Sequence, residues 1–167
     1  APYTPQQNGV AERANRTILE AARSMLFHHR PRLSLWAEAM AVATRVRNMI
    51  PTQGEELSPS QLFTGQKPLG SFLRVFGCKA FVHVPAVQRQ KLDPRSTECI
   101  FICYDDGCKA WKFLHPKSRS VLISRDAVFD EGRSGELQAL EPQEDTHLPG
   151  VLELLAVIEE DTPPPQE

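Results

Sequence analysis

The hydrophobic residues of this 167-residue chain change their spacing once, and that change does most to limit what the chain can fold into. From Val10 to Ile50 they recur every three or four residues, and from Leu73 onward they alternate. Helices followed by short strands predict an α+β architecture. Thr4-Pro5 enters extended, because a residue before proline is pushed out of the α region, and the first helix should run from Val10 to about Arg30, where Pro31 blocks it. Ile18, Ala22, Met25 and Leu26 form its core face, and His28-His29 suit the negative pole at its end. A second helix, capped by Ser34, carries the stripe Leu35, Trp36, Ala39, Met40, Ala43, Val46 and Ile50 before Pro51. Trp36, at stripe spacing, is expected to be buried packing rather than a base-stacking platform. Ser58-Pro59 and Gly65 bracket one short helical turn, and residues 67 to 71 read as a linker.

In the second half, Leu73 to Val84 reads as a strand interrupted at Gly77, where a bulge or a close backbone approach is expected. Ile100 to Tyr104 gives a second strand, Lys109 to Leu114 a third, and Val121 to Phe129 a fourth, bent near Asp126. Strands this short, at roughly ten-residue intervals, favour a small antiparallel sheet that closes into an SH3-like barrel.

Charge divides the chain differently. Residues 1 to 131 hold 18 Lys and Arg against 12 Asp and Glu, a balance of +6, whereas residues 132 to 167 hold 1 against 9, a balance of −8. A basic body suits a polyanion, although many soluble domains reach such a charge by chance. The tail, rich in Glu, Gln and Pro, is expected to be disordered; its apolar stretch Val151 to Ile158 either docks on a partner or collapses on itself. Cys99-x3-Cys103-x4-Cys108 lacks the paired C-x2-C of zinc knuckles, so the four cysteines read as small hydrophobes. No apolar run approaches the roughly 20 residues of a membrane span, and no membrane partner is expected.

Glu12 admits two readings. It lies opposite the core face, with Asn15, Arg16 and Arg23 on its own side, and a first-turn acid with an arginine at i+4 is ordinary helix electrostatics. However, Pro5-Gln6-Gln7-Asn8-Gly9-Val10-Ala11-Glu12-Arg13 with Asn15-Arg16-Thr17 resembles the last catalytic segment of the integrases of copia-type retrotransposons. Leu35-Trp36-Ala37-Glu38-Ala39 resembles that family's next helix. Leu73-Arg74-Val75-Phe76-Gly77-Cys78, Lys91-Leu92-Asp93-Pro94-Arg95-Ser96 and Ile123 to Glu131 resemble the small β-domain that follows the core.

The resemblance implies a division into residues 1 to 66, the last helices of a ribonuclease-H-like catalytic core; 67 to 131, an SH3-like β-domain; and 132 to 167, a tail. It also implies that Glu12 is the catalytic and metal-binding glutamate, the third acid that holds Mg2+ or Mn2+ for DNA strand transfer. Gln7, Asn8, Arg13, Asn15, Arg16 and Arg23 would lie against DNA. Two metal ions about 4 Å apart need several carboxylates. The other two acids of the family lie upstream of this segment, so the chain is expected to be inactive and metal-free alone. The partners implied are element and target DNA and further copies of the enzyme, acting in the nucleus after a cytoplasmic particle stage.

The family usually has a lysine where this chain has Ala14, and a glycine where it has Cys103, so strain is expected at Cys103. Lys91, Arg95, Lys109, Lys112, Lys117, Arg119 and Arg125 form either a DNA-gripping side of the barrel or a solvated rim. A non-catalytic DNA-binding or scaffold protein derived from such an element is the alternative function. Without the sheet that they pack on in the family, the helices are expected to expose Ile18, Met25, Trp36, Met40 and Val46.

Overall fold

A computed structural model describes residues 9–29, 33–105 and 107–134. Helix α1 spans Gly9–His29, α2 Trp36–Met49 and α3 Pro59–Thr64. Five strands follow: β1 Cys78–His83, β2 Ser96–Asp105, β3 Ala110–Leu114, β4 Val121–Ser124 and β5 Ala127–Ser134. All pairings are antiparallel, in the order β4-β3-β2-β1-β5. The expected bend near Asp126 is thus a corner between two strands. β4 pairs with β3, whereas β5 crosses to pair with β1, and the His83 amide donates to the Asp126 carbonyl at 2.9 Å. One continuous run therefore supplies both outer strands of the sheet, as in an SH3-like barrel.

The short helix matches its sequence signals. Buried Ser58 accepts the Gln61 amide on its Oγ at 3.2 Å, and Gly65 closes the turn with φ +70°. Ser34, in contrast, does not cap α2. A 3-10 turn, Leu33–Leu35, leads into that helix, and its N-cap is Leu35, which offers no capping oxygen.

The first strand is shorter than its alternating pattern suggests. Leu73–Phe76 is not strand, because a 3-10 turn at Gly70–Phe72 precedes it and Gly77 adopts φ +78°. Glycine alone takes that conformation at no steric cost, and there the buried Gly77 donates its amide to the Phe101 carbonyl at 2.9 Å. At the far end β5 continues to Ser134, past the shift in composition after Glu131.

Phe101, fully buried, is the centre of the barrel core. Tyr104, Phe113 and Phe129 meet it edge-on at 5.2, 6.3 and 5.9 Å. Ala39, Val42 and Ala43 of α2 and Ala22 of α1 belong to the same buried cluster, with Ile18, Met25, Met40 and Val46 packed against it. Of the side chains expected to be exposed, Ile18, Met25, Met40 and Val46 are therefore partly covered. Trp36 and Ile50 are the exceptions at 41% and 52% exposure, so the expectation of a buried Trp36 fails. The first residue of a helix and its C-cap lie beyond the turns that face the sheet, whereas Val42, which the stripe omits, is buried.

Cys103 does not adopt the left-handed backbone that would favour glycine: among the described non-glycine residues only Arg119 has positive φ, and the pairing of β2 with β3 shifts register between Phe101 and Cys103. No described helix is long and apolar enough to cross a membrane.

Candidate nucleic-acid interface

Glu12, Arg13, Asn15, Arg16 and Arg23 all lie on α1 and all are exposed; Gln7 and Asn8 fall outside the described residues. Helical geometry puts Glu12, Arg16 and Arg23 on one side with Asn15 beside them. Arg23 sits 5.7 Å from the centre of the Phe27 ring. Among the described residues no three His, Cys, Asp or Glu side chains gather as a metal site. A two-ion centre needs several carboxylates, so the residues described do not by themselves fit a Mg2+ or Mn2+ pair.

The cations around the sheet separate into two kinds. Some are structural: Arg74 stacks over Phe129 and Trp111 at 4.8 and 5.6 Å and donates to the Ser71 and Leu73 carbonyls. Arg45 of α2 lies over Tyr104 and Phe72 at 4.7 and 5.6 Å, linking helix to sheet. Lys79 pairs with Glu98 at 2.8 Å, and Lys112 with Asp105 at 3.5 Å. That contact takes Lys112 out of the seven-residue group named from the sequence.

The remainder lie at turns, and an antiparallel meander sends alternate connections to opposite ends. The β1–β2 loop with Lys91 and Arg95 and the β3–β4 turn with Lys117 and Arg119 leave one end of the sheet, whereas Lys109 lies in the β2–β3 turn at the other. The group is thus not one uniform side. Arg89, Lys91 and Arg95 do converge, lining an open depression together with Ala86, Gln90 and Asp93.

Comparison with known proteins bears directly on this sheet. The model of the retroviral polymerase SH3-like domain matches residues 78–143, starting at the first residue of β1. The retrovirus-related Pol polyprotein from transposon TNT 1-94 of Nicotiana tabacum is 45% identical over 131 residues, which cover 78% of this chain. Residues 78–143 are thus a retroviral polymerase SH3-like domain, in a chain homologous to retrovirus-related Pol polyproteins. The corresponding polyprotein from transposon RE1 of Arabidopsis thaliana is 37% identical over the same share of the chain. An uncharacterized mitochondrial protein of Arabidopsis thaliana is 34% identical over 83 residues, 49% of this chain and 67% of that protein. The chain spans only 10% and 9% of the length of the two polyproteins. No solved structure matches.

Within the SH3-like domain, two of the cysteines serve packing. Cys78 and Cys99 are fully buried, and burial, the main cause in each case, pushes their thiols up to about 12 and about 11. Cys108 instead donates its thiol to Asp105 Oδ2 at 2.9 Å. That bond holds the Asp105 carboxyl below its ordinary range, with Lys112 assisting.

Arg89 is the member of the depression that sequence reading passed over. It stands between two glutamines with no periodic signal; the bracketing prolines, Pro85 and Pro94, were the available hint that this loop is built to hold a shape.

Proposed function

We propose that this Pol segment works in DNA integration, with the helical part supplying one carboxylate of the catalytic centre and the SH3-like domain gripping the DNA backbone. In this reading Glu12 becomes a metal ligand only when two carboxylates from upstream sequence are brought to it. Arg13, Asn15, Arg16 and Arg23, on the same exposed helix, then face the DNA being joined. Mg2+ or Mn2+ would neutralise charge on the attacking and leaving oxygens; the chain's own contribution is one ligand and a set of cations. DNA is the partner, with further copies of the enzyme in the assembly, and the nucleus is the place of action.

The observation that carries this reading is the joint occurrence of an exposed glutamate in the first turn of α1 and a downstream SH3-like domain in one Pol-related chain. Within that domain, among the described residues, cations without an ion pair remain after Arg74, Lys79 and Lys112 are accounted for. Binding that depends on phosphates weakens linearly in log affinity as log salt rises.

The test has two arms. Fluorescence anisotropy with a labelled duplex should show the chain binding DNA with a negative salt slope, and affinity that ignores salt would refute the phosphate contact. In a chain extended upstream to carry the two further acids, Glu12→Gln should abolish manganese-dependent strand transfer while DNA binding persists. Unchanged strand transfer would remove Glu12 from the catalytic centre. DNA binding with no metal-dependent joining in the extended chain would favour the second reading, a non-catalytic DNA-binding protein.

A further inference from the structure

Three cations of the β1–β2 loop, Arg89, Lys91 and Arg95, gather in one depression without an ion pair among the described residues. The loop's sole acid, Asp93, also lines the depression. Its Oδ2 instead accepts the Gln90 amide at 2.7 Å, holding a turn in which the Asp93 amide donates to the Gln90 carbonyl at 3.1 Å. The loop is further closed at its base, where the Val84 amide donates to the Arg95 carbonyl at 3.0 Å, and Pro85 and Pro94 limit its freedom.

Two aliphatic side chains make a merely solvated rim a poor description. Val87 is 97% exposed and Leu92 is 98% exposed, both on this same loop. A rim kept for solubility mixes charges of both signs and avoids exposed Val and Leu. Three unpaired cations on a preformed turn, flanked by apolar tips, suit a surface that contacts a polyanion with apolar elements between its charges. Duplex DNA has that character, with phosphates on its rims and base and sugar edges in its grooves.

We propose that residues 86–95 are the element of the SH3-like domain that engages duplex DNA, with Arg89, Lys91 and Arg95 on phosphates and Leu92 against the groove between them. The proposal rests on the DNA reading above and gives it a location. Because the loop is already ordered by its own hydrogen bonds, little conformational freedom is lost on contact.

The experiment is DNA binding by the full 167-residue chain over a range of salt concentrations, comparing wild type with R89Q/K91Q/R95Q, Leu92→Ser and the exposed control Lys67→Gln. Each phosphate contact contributes about 0.9 to the slope of log affinity against log salt, so the triple variant should lose roughly 2 to 3 of slope and at least about tenfold in affinity at physiological salt. Lys67→Gln should lose far less. Leu92→Ser should weaken binding severalfold with its slope unchanged. Glutamine is uncharged and these positions lie at the surface, so folding is expected to persist, and near-ultraviolet circular dichroism checks it. A wild-type chain that does not bind DNA at all overturns the underlying reading. A chain that binds, with the triple variant or Leu92→Ser behaving as wild type, leaves that reading intact and overturns the location proposed here.

Discussion

The Arg74 backbone amide donates a hydrogen bond of 2.9 Å to the hydroxyl of Tyr104, thirty residues away in sequence. Tyr104 is buried near the end of β2, its ring edge-on to Phe101 and under the Arg45 guanidinium. Burial is also what pushes the Tyr104 phenol above its ordinary range. One side chain thereby ties together the segment entering β1 through its hydroxyl and helix α2 through its ring.

Tyr104→Phe should keep the ring contacts and strip the amide of its partner. The expected loss is about 1–2 kcal/mol, the cost of leaving a part-buried donor unsatisfied. A urea midpoint equal to wild type would show that the bond contributes nothing net.

Gly77→Ala should cost about 1–2 kcal/mol, because the alanine Cβ meets its own carbonyl at φ +78° and the bond to Phe101 holds the backbone there. Gly70→Ala makes the control, since its φ is not positive and nothing lies within 4 Å of the added carbon. Thermal melts that rank the two substitutions equally would contradict this account.

The buried thiols predict an alkaline weakness. In an unfolded chain they ionise near 9.0, whereas in the fold Cys78 is held to about 12 and Cys99 to about 11. Between those values the folded state binds more protons than the unfolded state. The stability they contribute is fully present below pH 9 and is lost as pH rises from 9 toward 12. Urea midpoints should fall across that window, and less steeply in Cys78→Ala. At neutral pH, iodoacetamide should label half-buried Cys103 and Cys108 before Cys78 and Cys99, as read by mass spectrometry.

Glu12→Gln should leave folding alone. The side chain is exposed on α1, so the change should stay within about 0.5 kcal/mol. A larger loss in a chemical denaturation series would mean that Glu12 holds the structure rather than waiting for a partner.

Local signals proved most informative where the physics is local. The cap at Ser58, the stop at Gly65 and the special backbone at Gly77 each depend on one residue's own hydrogen-bonding or conformational freedom, and each is legible in the residue itself. The change from helical to alternating spacing similarly announces helices and then an antiparallel sheet, and the motifs of the second half point to the family. Trp36 was misjudged because spacing shows which residues share a helix face but not where the neighbouring element ends. Glu12 and its arginines are recognisable as a pattern, and the structure adds that they are exposed on one helix.

What the sequence determined by itself, then, is the kind and order of elements, since periodicity, caps and turns act within a few residues. Tertiary structure decided which charges are occupied. Seven lysines and arginines named from sequence looked equivalent, yet Lys112 is joined to Asp105, Lys109 lies at the opposite end of the meander, and unnamed Arg89 joins Lys91 and Arg95 in one depression. The physical reason is range. A salt bridge or a shared phosphate site depends on distances of a few ångströms between residues far apart in the chain, and only the strand register sets those distances.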